Sequence, residues 1–247
     1  MTVFDLYRSL ENSIPRELSC SWDNDGIMCL PNPSKEVRKV LLSLDATEGA
    51  VEYAAENGFD AVVTHHPLIF RPIKTVSDSR FMSLIKNDVA VFSFHTRLDA
   101  VDGGVNTAFA ELLGLTDTER FGDDGLGVIG NVSPMTDREF VLMAKERLGS
   151  PKAEAVLDGK TVTRVAVVGG DGEHYISAAS SAGADLYISG RLSYNDMTDA
   201  SVYGMSMAAL GHFYTENPVL DKLEKMIKDI DPAVETEKFD CNVIEAL

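Results

Sequence analysis

The apolar positions of this chain follow two different spacings, which predicts an α/β protein with mixed sheets. Short runs of Val, Leu, Ile and Phe are typical of buried strands. The longer stretches between them carry apolar residues every three to four positions, as an amphipathic helix does. The first such stretch lies at the N-terminus, with its apolar stripe at Val3, Leu6, Leu10 and Ile14. Strands and helices that alternate in this way indicate an α/β fold.

Cap and turn signals predict further elements in the second half of the chain. Thr136 and Glu139 form a capping-box signature that opens a helix ending near Leu148. The dipeptide Asp158-Gly159 predicts a hairpin between the apolar segments on either side of it. Another helix is expected to begin near Pro218, because the fixed φ of proline suits a first helical turn.

An internal repeat relates the two halves. The segment VLLSLDATEGAVEYAAENGFDAVVTHH, from Val40, aligns without a gap with VAVVGGDGEHYISAASSAGADLYISGR, from Val165. Both copies have the pattern of a strand, a small-residue helix, a glycine that ends the helix and a second strand, which predicts a βαβ unit used twice. Further on, VFSFHTRLD and AALGHFYTE each place a His-x-x-x-acid sequence after an apolar strand.

The repeat predicts two intertwined, repeat-related α/β units. We expect the first to cover residues 1–125, with residues 205–247 returning to it, and the second to cover residues 126–204. The polar, glycine-containing stretch from Thr116, TDTERFGDDG, is the predicted linker. A site that used both His-x-x-x-acid sequences would require the copies to pack face to face and would lie in the cleft between them. We expect a dinuclear metal centre there.

Composition narrows the classes of function. The formal net charge of -17 opposes binding to nucleic acid or to an anionic membrane, since both require clustered Lys and Arg. The three cysteines form no C-x-x-C pair, which favours a reducing compartment over a disulfide scaffold. The N-terminal stretch has neither a basic leader nor a long apolar run, so we expect a cytoplasmic protein without a membrane span.

The candidate chemistry lies in histidines that follow apolar strands, where α/β sheets often present functional side chains. They are His65, His66, His95 and His212. Adjacent side chains on an extended segment point apart, so His65 and His66 are expected to serve two ions rather than to chelate one. Asp99 and Glu216 supply carboxylates. Each pair also has a simpler interpretation, as a hydrogen-bonded pair or a helix cap, but the symmetric placement favours metal.

Several signatures together resemble those of the Nif-three-like family, whose bacterial members carry the name GTP cyclohydrolase I type 2 homologue. They are SWDNDGIM at Ser21, LSLDAT at Leu42, THHPLIF at Thr64, HTRLDAVDGGVN at His95 and GHFYTE at Gly211. The resemblance extends over essentially the whole chain. It implies two divalent metal ions per chain and a homo-oligomer, in the form of a hexameric ring.

The resemblance also implies a division of the ligands. His66 and Asp99 would hold one ion, His65 and His212 the other, and Glu216 would bridge them. Zinc, iron and manganese all suit this mixture of imidazole and carboxylate. His95 matches the family's HT motif and is expected near the site, where it would either orient a metal-bound water or ligate an ion.

Other positions keep two interpretations. Asp45 would either contact a metal-bound water or cap the next helix. The glycines from Gly169 to Gly172 form either a tight turn or a phosphate cradle. Trp22 lies in a stretch with turn composition and could also form the edge of a lid. The segment SGRLSYNDMTDA departs from the family pattern, because Asn195 replaces the usual histidine.

Two functions follow from these residues. The first is a metal-dependent hydrolase, by resemblance GTP cyclohydrolase-like, that acts on a nucleotide or related small molecule. The second is a metal-loaded oligomeric binding or regulatory protein without turnover. Only an assay of turnover separates them.

Overall fold

The computed structural model describes residues 1–245 and forms two compact units. The first comprises Met1–Val101 and Leu220–Val243, and the second consists mainly of Asp102–Val219. The strands are β1 (Gly26–Cys29), β2 (Lys39–Ser43), β3 (Ala61–Thr64), β4 (Ala90–Ser93), β5 (Thr116–Phe121), β6 (Gly127–Thr136), β7 (Glu154–Val156), β8 (Thr161–Asp171), β9 (Leu186–Arg191), β10 (Ser206–Ala209) and β11 (Glu235–Lys238). The helices are α1 (Val3–Ser13), α2 (Glu48–Glu56), α3 (Ser79–Asn87), α4 (Thr96–Ala100), α5 (Val105–Leu113), α6 (Asp137–Leu148), α7 (Ile176–Ser181), α8 (Tyr194–Thr198), α9 (Ala200–Tyr203), α10 (His212–Glu216) and α11 (Val219–Ile230).

The first unit is built on a mixed sheet in the order β1-β4-β3-β2-β11. Strands β2, β3 and β4 are parallel, β11 is parallel to β2, and β1 is antiparallel to β4. Glu235 pairs with Lys39, so strand β11 of the C-terminal segment lies in the sheet of the first unit. The carboxyl ends of β3 and β4 lie side by side, with Thr64 paired to Ser93.

The second unit is built on a mixed sheet in the order β5-β6-β8-β9-β10-β7. Its central strands β8, β9 and β10 are parallel, and the outer pairs are antiparallel. Alternate residues of β8 enter two apolar clusters, with Val165 and Val167 in one and Ala166 and Val168 in the other. The central strands are therefore apolar on both faces, as parallel strands between helices generally are.

The internal repeat is confirmed by equivalent hydrogen bonds in both units. The side chain of Asp60 accepts hydrogen bonds from the backbone amides of Arg38 and Lys39, at 2.8 and 3.0 Å. The side chain of Asp185 accepts them from the amides of Thr163 and Arg164, at 2.8 and 2.9 Å. In each copy the aspartate that precedes the second strand thus binds backbone amides at or near the start of the first strand.

The helices predicted from periodicity are confirmed. The stripe of α1 is buried, and Thr2 and Asp5 form a capping box at its start. Helix α6 has the predicted capping box of Thr136 and Glu139 and ends at Gly149, in the left-handed conformation. Helix α11 covers Val219–Ile230, as the proline before it predicts. None of the helices in the described part of the chain is long and apolar enough to cross a membrane.

Two predictions about local structure are wrong. The predicted linker at Thr116 is strand β5, whose side chains are mostly exposed because it forms an edge of the sheet, which explains its polar sequence. The predicted hairpin at Asp158-Gly159 does not form, since β7 pairs with β10. The amides of Asp158 and Gly159 each lie 3.0 Å from a carboxylate oxygen of the buried Asp137, so the chain turns around this carboxylate.

The two units also differ in extent from the ranges predicted from the repeat. Residues 102–125 and 205–219 group with the second unit. The reason is strand pairing, because β5 pairs with β6 and β10 pairs with β9.

Arg97 is the largest fully buried side chain of the first unit. Its exposed fraction is 0%, and its guanidinium lies 3.0 Å from Asp25 and 3.3 Å from Glu11. It also donates to the carbonyl oxygen of Ile14 at 3.2 Å and lies over the ring of Phe94. This ion-pair network connects helix α1 and the segment before β1 to helix α4.

Candidate functional site

Three histidines converge where β3 and β4 end. His65 and His66 follow β3, and His95 follows β4, so the parallel pairing of the strands brings them together. The ring centroids of His65 and His66 are 4.8 Å apart, and those of His95 lie 5.3 and 5.7 Å from them. One ligand nitrogen from each ring lies within 4.8 Å of the other two. We call these residues the histidine cluster.

The expectation that His65 and His66 point apart is wrong. It assumed that strand geometry continues through both residues, and β3 ends at Thr64. The backbone bends at His65 and His66, and the two rings consequently lie on the same side. Alternation of side chains holds only where the chain is extended.

Each ring of the histidine cluster is oriented through its Nδ1 atom. The Nδ1 of His65 lies 3.0 Å from the carbonyl oxygen of Phe94. The Nδ1 atoms of His66 and His95 lie 2.9 Å from carboxylate oxygens of Asp45 and Asp23. With the proton on Nδ1, each neutral imidazole offers the lone pair of Nε2 as a ligand. Carboxylates and carbonyls orient metal-binding histidines in this manner in other proteins.

Asp45 contacts the ring of His66 and does not cap the next helix. Helix α2 is capped by Thr47, whose hydroxyl accepts a hydrogen bond from the amide of Ala50 at 3.2 Å. The second oxygen of Asp45 lies 3.8 Å from the thiol of Cys241, in the segment that follows β11. The interpretation of Asp45 as a cap is therefore wrong.

Asp23 is a functional candidate that the sequence interpretation missed. Its side chain is buried and accepts hydrogen bonds from His95 and from both the amide and the hydroxyl of Thr96. Burial by itself raises the pKa of this carboxyl, but the hydrogen bonds from His95 and Thr96 outweigh it and hold the pKa below its usual range. The signal for it in the sequence is an acidic residue directly after Trp22, in a stretch with the composition of a turn.

The pairing of His65 with Asp99 tests whether this site suits a cation. Asp99 lies on helix α4, and its Oδ1 is 3.7 Å from the Nε2 of His65, which is too long for a hydrogen bond. When the ring is neutral with its proton on Nδ1, both atoms carry lone pairs, and positive charge between them would remove their repulsion. Two ligand atoms each bound at about 2.1 Å to one ion are separated by roughly 3–4 Å. The distance and the donor types therefore fit a divalent metal.

The second unit contains the other predicted pair on helix α10. The Nε2 of His212 lies 3.0 Å from the Oε2 of Glu216, whose side chain is buried. Glycines closely surround this pair. A Cβ atom on Gly170 would lie 2.1 Å from Glu216, and one on Gly190 would lie 2.8 Å from the Cα of His212. The repeat places this pair at the equivalent strand end to that of His95 and Asp99.

The Gly169-Gly170 stretch does not match a phosphate cradle. The two glycines lie within β8, and their amides donate to protein side chains. The amide of Gly169 is 2.8 Å from Asn106, and that of Gly170 is 3.1 Å from Thr215. Asn195 is an exposed residue in the first turn of α8.

The fold and these residues indicate a class of protein: a two-unit α/β protein whose histidine and carboxylate groups could hold metal ions. The family model Duf34/NIF3 (NGG1p interacting factor 3) matches residues 1–245, and the chain belongs to this family.

Relatives and solved structures agree with this assignment. A protein of Clostridium perfringens named GTP cyclohydrolase 1 type 2 homolog is 32% identical, with 95% of each chain covered. A protein of the same name from Methanocaldococcus jannaschii is 30% identical over 92% of this chain and 95% of its own. The crystal structure of the Staphylococcus aureus hypothetical protein SA1388 has a TM-score of 0.90 at 24% identity, with 100% and 99% coverage, and shares the fold.

Proposed function

We propose that this protein binds two divalent metal ions and uses them to hydrolyse a nucleotide or a related small molecule. The proposed ligands are His65, His66, Asp99, His212 and Glu216. The observation that carries the proposal is the histidine cluster, in which three rings lie together and each has its Nδ1 held by an acceptor. When bound, such ions supply Lewis acidity and positive charge for hydrolysis.

The residues of this chain have separate tasks in the proposed site. Phe94, Asp45 and Asp23 hold the three rings, so that little rotamer entropy is lost when an ion binds. Asp99 and Glu216 bring negative charge that offsets the repulsion between two dications. Zinc, iron and manganese all fit this ligand set. His95 belongs to the histidine cluster. It is proposed either to bind one of the ions or to orient a neighbouring group.

The substrate class rests on the names of relatives, which point to a guanine nucleotide. The family description instead refers to an interacting factor, which supports a second candidate, a metal-loaded binding or regulatory protein. A homo-oligomer and a cytoplasmic location stay predictions of the sequence.

Metal content and turnover test the proposal together. The protein is stripped with a chelator, reloaded with Zn²⁺, Mn²⁺ or anaerobic Fe²⁺ and measured by elemental analysis. We expect about two ions per chain, as the family resemblance implies. Each loaded form is then assayed with nucleotides, phosphoesters and pterin precursors. Less than about half an ion per chain would refute metal binding, and two ions without turnover would favour the regulatory candidate.

Gly170→Ala is expected to weaken metal binding by about 10-fold or more, the range seen when a group that supports a ligand is lost. The new methyl group would enter the space of the Glu216 carboxylate, at a φ of +64°. Metal titration by calorimetry measures the effect. The matched control is Gly183→Ala, with a φ of +81° and open space around the added carbon. It should cost about 1 kcal/mol of stability and leave metal affinity unchanged. Equal metal affinity in both variants would contradict the role of Glu216.

A further inference from the structure

Two exposed aromatic side chains stand beside the histidine cluster. The ring centroid of Trp22 lies 6.2 Å from that of His95, and the centroid of Phe70 lies 6.1 Å from it. Trp22 and Phe70 are themselves 6.2 Å apart. All three pairs have edge-to-face geometry, with interplanar angles of 78°, 83° and 60°. The three rings therefore form a triangle with His95 at one corner.

Both aromatic rings remain largely in solvent. The exposed fraction is 63% for Trp22 and 50% for Phe70. Large aromatic side chains contribute most to stability when they are buried, so this exposure offers little to the fold. Exposed apolar groups that adjoin a polar site are typical of ligand-binding surfaces.

The two loops that carry these rings are connected to each other and to the histidine cluster. The side chain of Asn24 donates a hydrogen bond to the carbonyl oxygen of Ile69. Asp23, next to Trp22, holds His95 at 2.9 Å, and Phe70 follows His66 in the loop after β3. The loop that carries Trp22 is thus joined both to the loop of Phe70 and to His95, and such connections lower the entropic cost of ordering the loops when a ligand binds.

We propose that Trp22 and Phe70 form a stacking platform for a planar heteroaromatic ring in the molecule that the histidine cluster acts on. This inference rests on the proposed function and specifies its substrate class. Indole and phenyl faces stack on any flat heteroaromatic ring, whereas an aliphatic phosphoester has no ring on which they could stack. The platform provides affinity and orientation, whereas the chemistry belongs to the proposed metal site.

Trp22 is the single tryptophan of the chain, so its fluorescence reports on this platform alone. The metal-free and the zinc-loaded protein are each titrated with three probes that carry a ring: guanosine, adenosine and nicotinic acid mononucleotides. Ribose 5-phosphate is the matched probe without a ring. We expect saturable quenching by at least one of the three mononucleotides and none by ribose 5-phosphate.

Phe70→Leu tests the platform with little change in apolar volume. It should bind the quenching probe about 5-fold to 100-fold more weakly, which is the range for loss of one stacked ring. Trp22→Leu removes the fluorescent residue, so its affinity for the probe is measured by calorimetry. We expect the affinity to fall by a similar factor. Tyr194→Ala removes an aromatic ring of the second unit that is even more exposed, at 81%, and should leave binding of the probe unchanged. Thermal melts establish that all variants are folded.

Two results would overturn the platform: no quenching by any of the three mononucleotides, or unchanged affinity in both Phe70→Leu and Trp22→Leu. Metal titration on the same samples separates this from the proposed function. If two ions bind and no ring binds, only the platform is wrong. If a ring binds through Phe70 and no metal binds, the platform stands and the proposed metal chemistry is wrong.

Discussion

His65→Ala is expected to lower the affinity for metal by more than about 100-fold, beyond the usual cost of losing a supporting residue. His65 is buried, its Nδ1 is held by the carbonyl oxygen of Phe94, and its Nε2 faces Asp99 at 3.7 Å. Alanine removes this preorganised nitrogen and leaves the carboxylate of Asp99 without its neighbouring ligand. Calorimetric titration of zinc into stripped protein measures the loss.

The chain provides a matched control for this variant. His174 is the one histidine outside both predicted groups and is exposed on the 3₁₀ helix Glu173–Tyr175. His174→Ala should bind metal as the unchanged protein does. Glu216→Gln should weaken both binding events if this residue bridges the ions, as the family resemblance implies. If His65→Ala retained two tight sites at an unchanged melting temperature, the proposed ligand set would be wrong.

Arg97→Met is expected to lower the free energy of unfolding by about 3–5 kcal/mol, as removal of one partner from a buried ion pair does. In the unchanged protein the guanidinium of Arg97 lies 3.0 Å from the carboxylate of Asp25. The substitution leaves this carboxylate buried without its cation. In a protein of this size the melting temperature should fall by roughly 6–20 °C. Thermal unfolding followed by circular dichroism measures the change.

Two further variants identify the cause of this loss. Arg8→Met removes an exposed arginine from the same unit and should stay within about 0.5 kcal/mol of the unchanged protein. Adding Asp25→Asn to Arg97→Met should restore part of the stability, because it removes the isolated charge. If Asp25→Asn lowered the stability of the Arg97→Met variant further, lost packing would explain the effect better than the isolated charge.

Features that repeat along the chain were predictable from the sequence. The stripe of α1 has helical periodicity, and the aspartates Asp60 and Asp185 occupy matching places in two aligned segments. Histidines placed after apolar strands could be recognised because each strand has a clear hydrophobic pattern and a clear end. In these cases local sequence and tertiary packing favour the same structure.

Features that depend on distant contacts were not predictable. Strand β5 has the composition of a linker and becomes a strand only because β6 pairs with it. Asp23 meets His95 across 72 positions of sequence, so no local pattern indicates the contact. The bend at His65-His66 likewise depends on the residues around it, and it decides whether the two rings diverge or come together.

Because β11 follows the second unit in the sequence, the sheet of the first unit is completed only after the main segment of the second unit has been synthesised. The second unit is drawn mainly from the continuous segment Asp102–Val219, whereas the sheet of the first unit is completed by Glu235–Lys238. Segments fold on the ribosome in the order in which they emerge. Strands β1 to β4 emerge before the second unit, but their sheet lacks its last strand until the second unit has been synthesised. Until β11 is synthesised, β2 remains an open edge, and the sheet that carries the histidine cluster is incomplete.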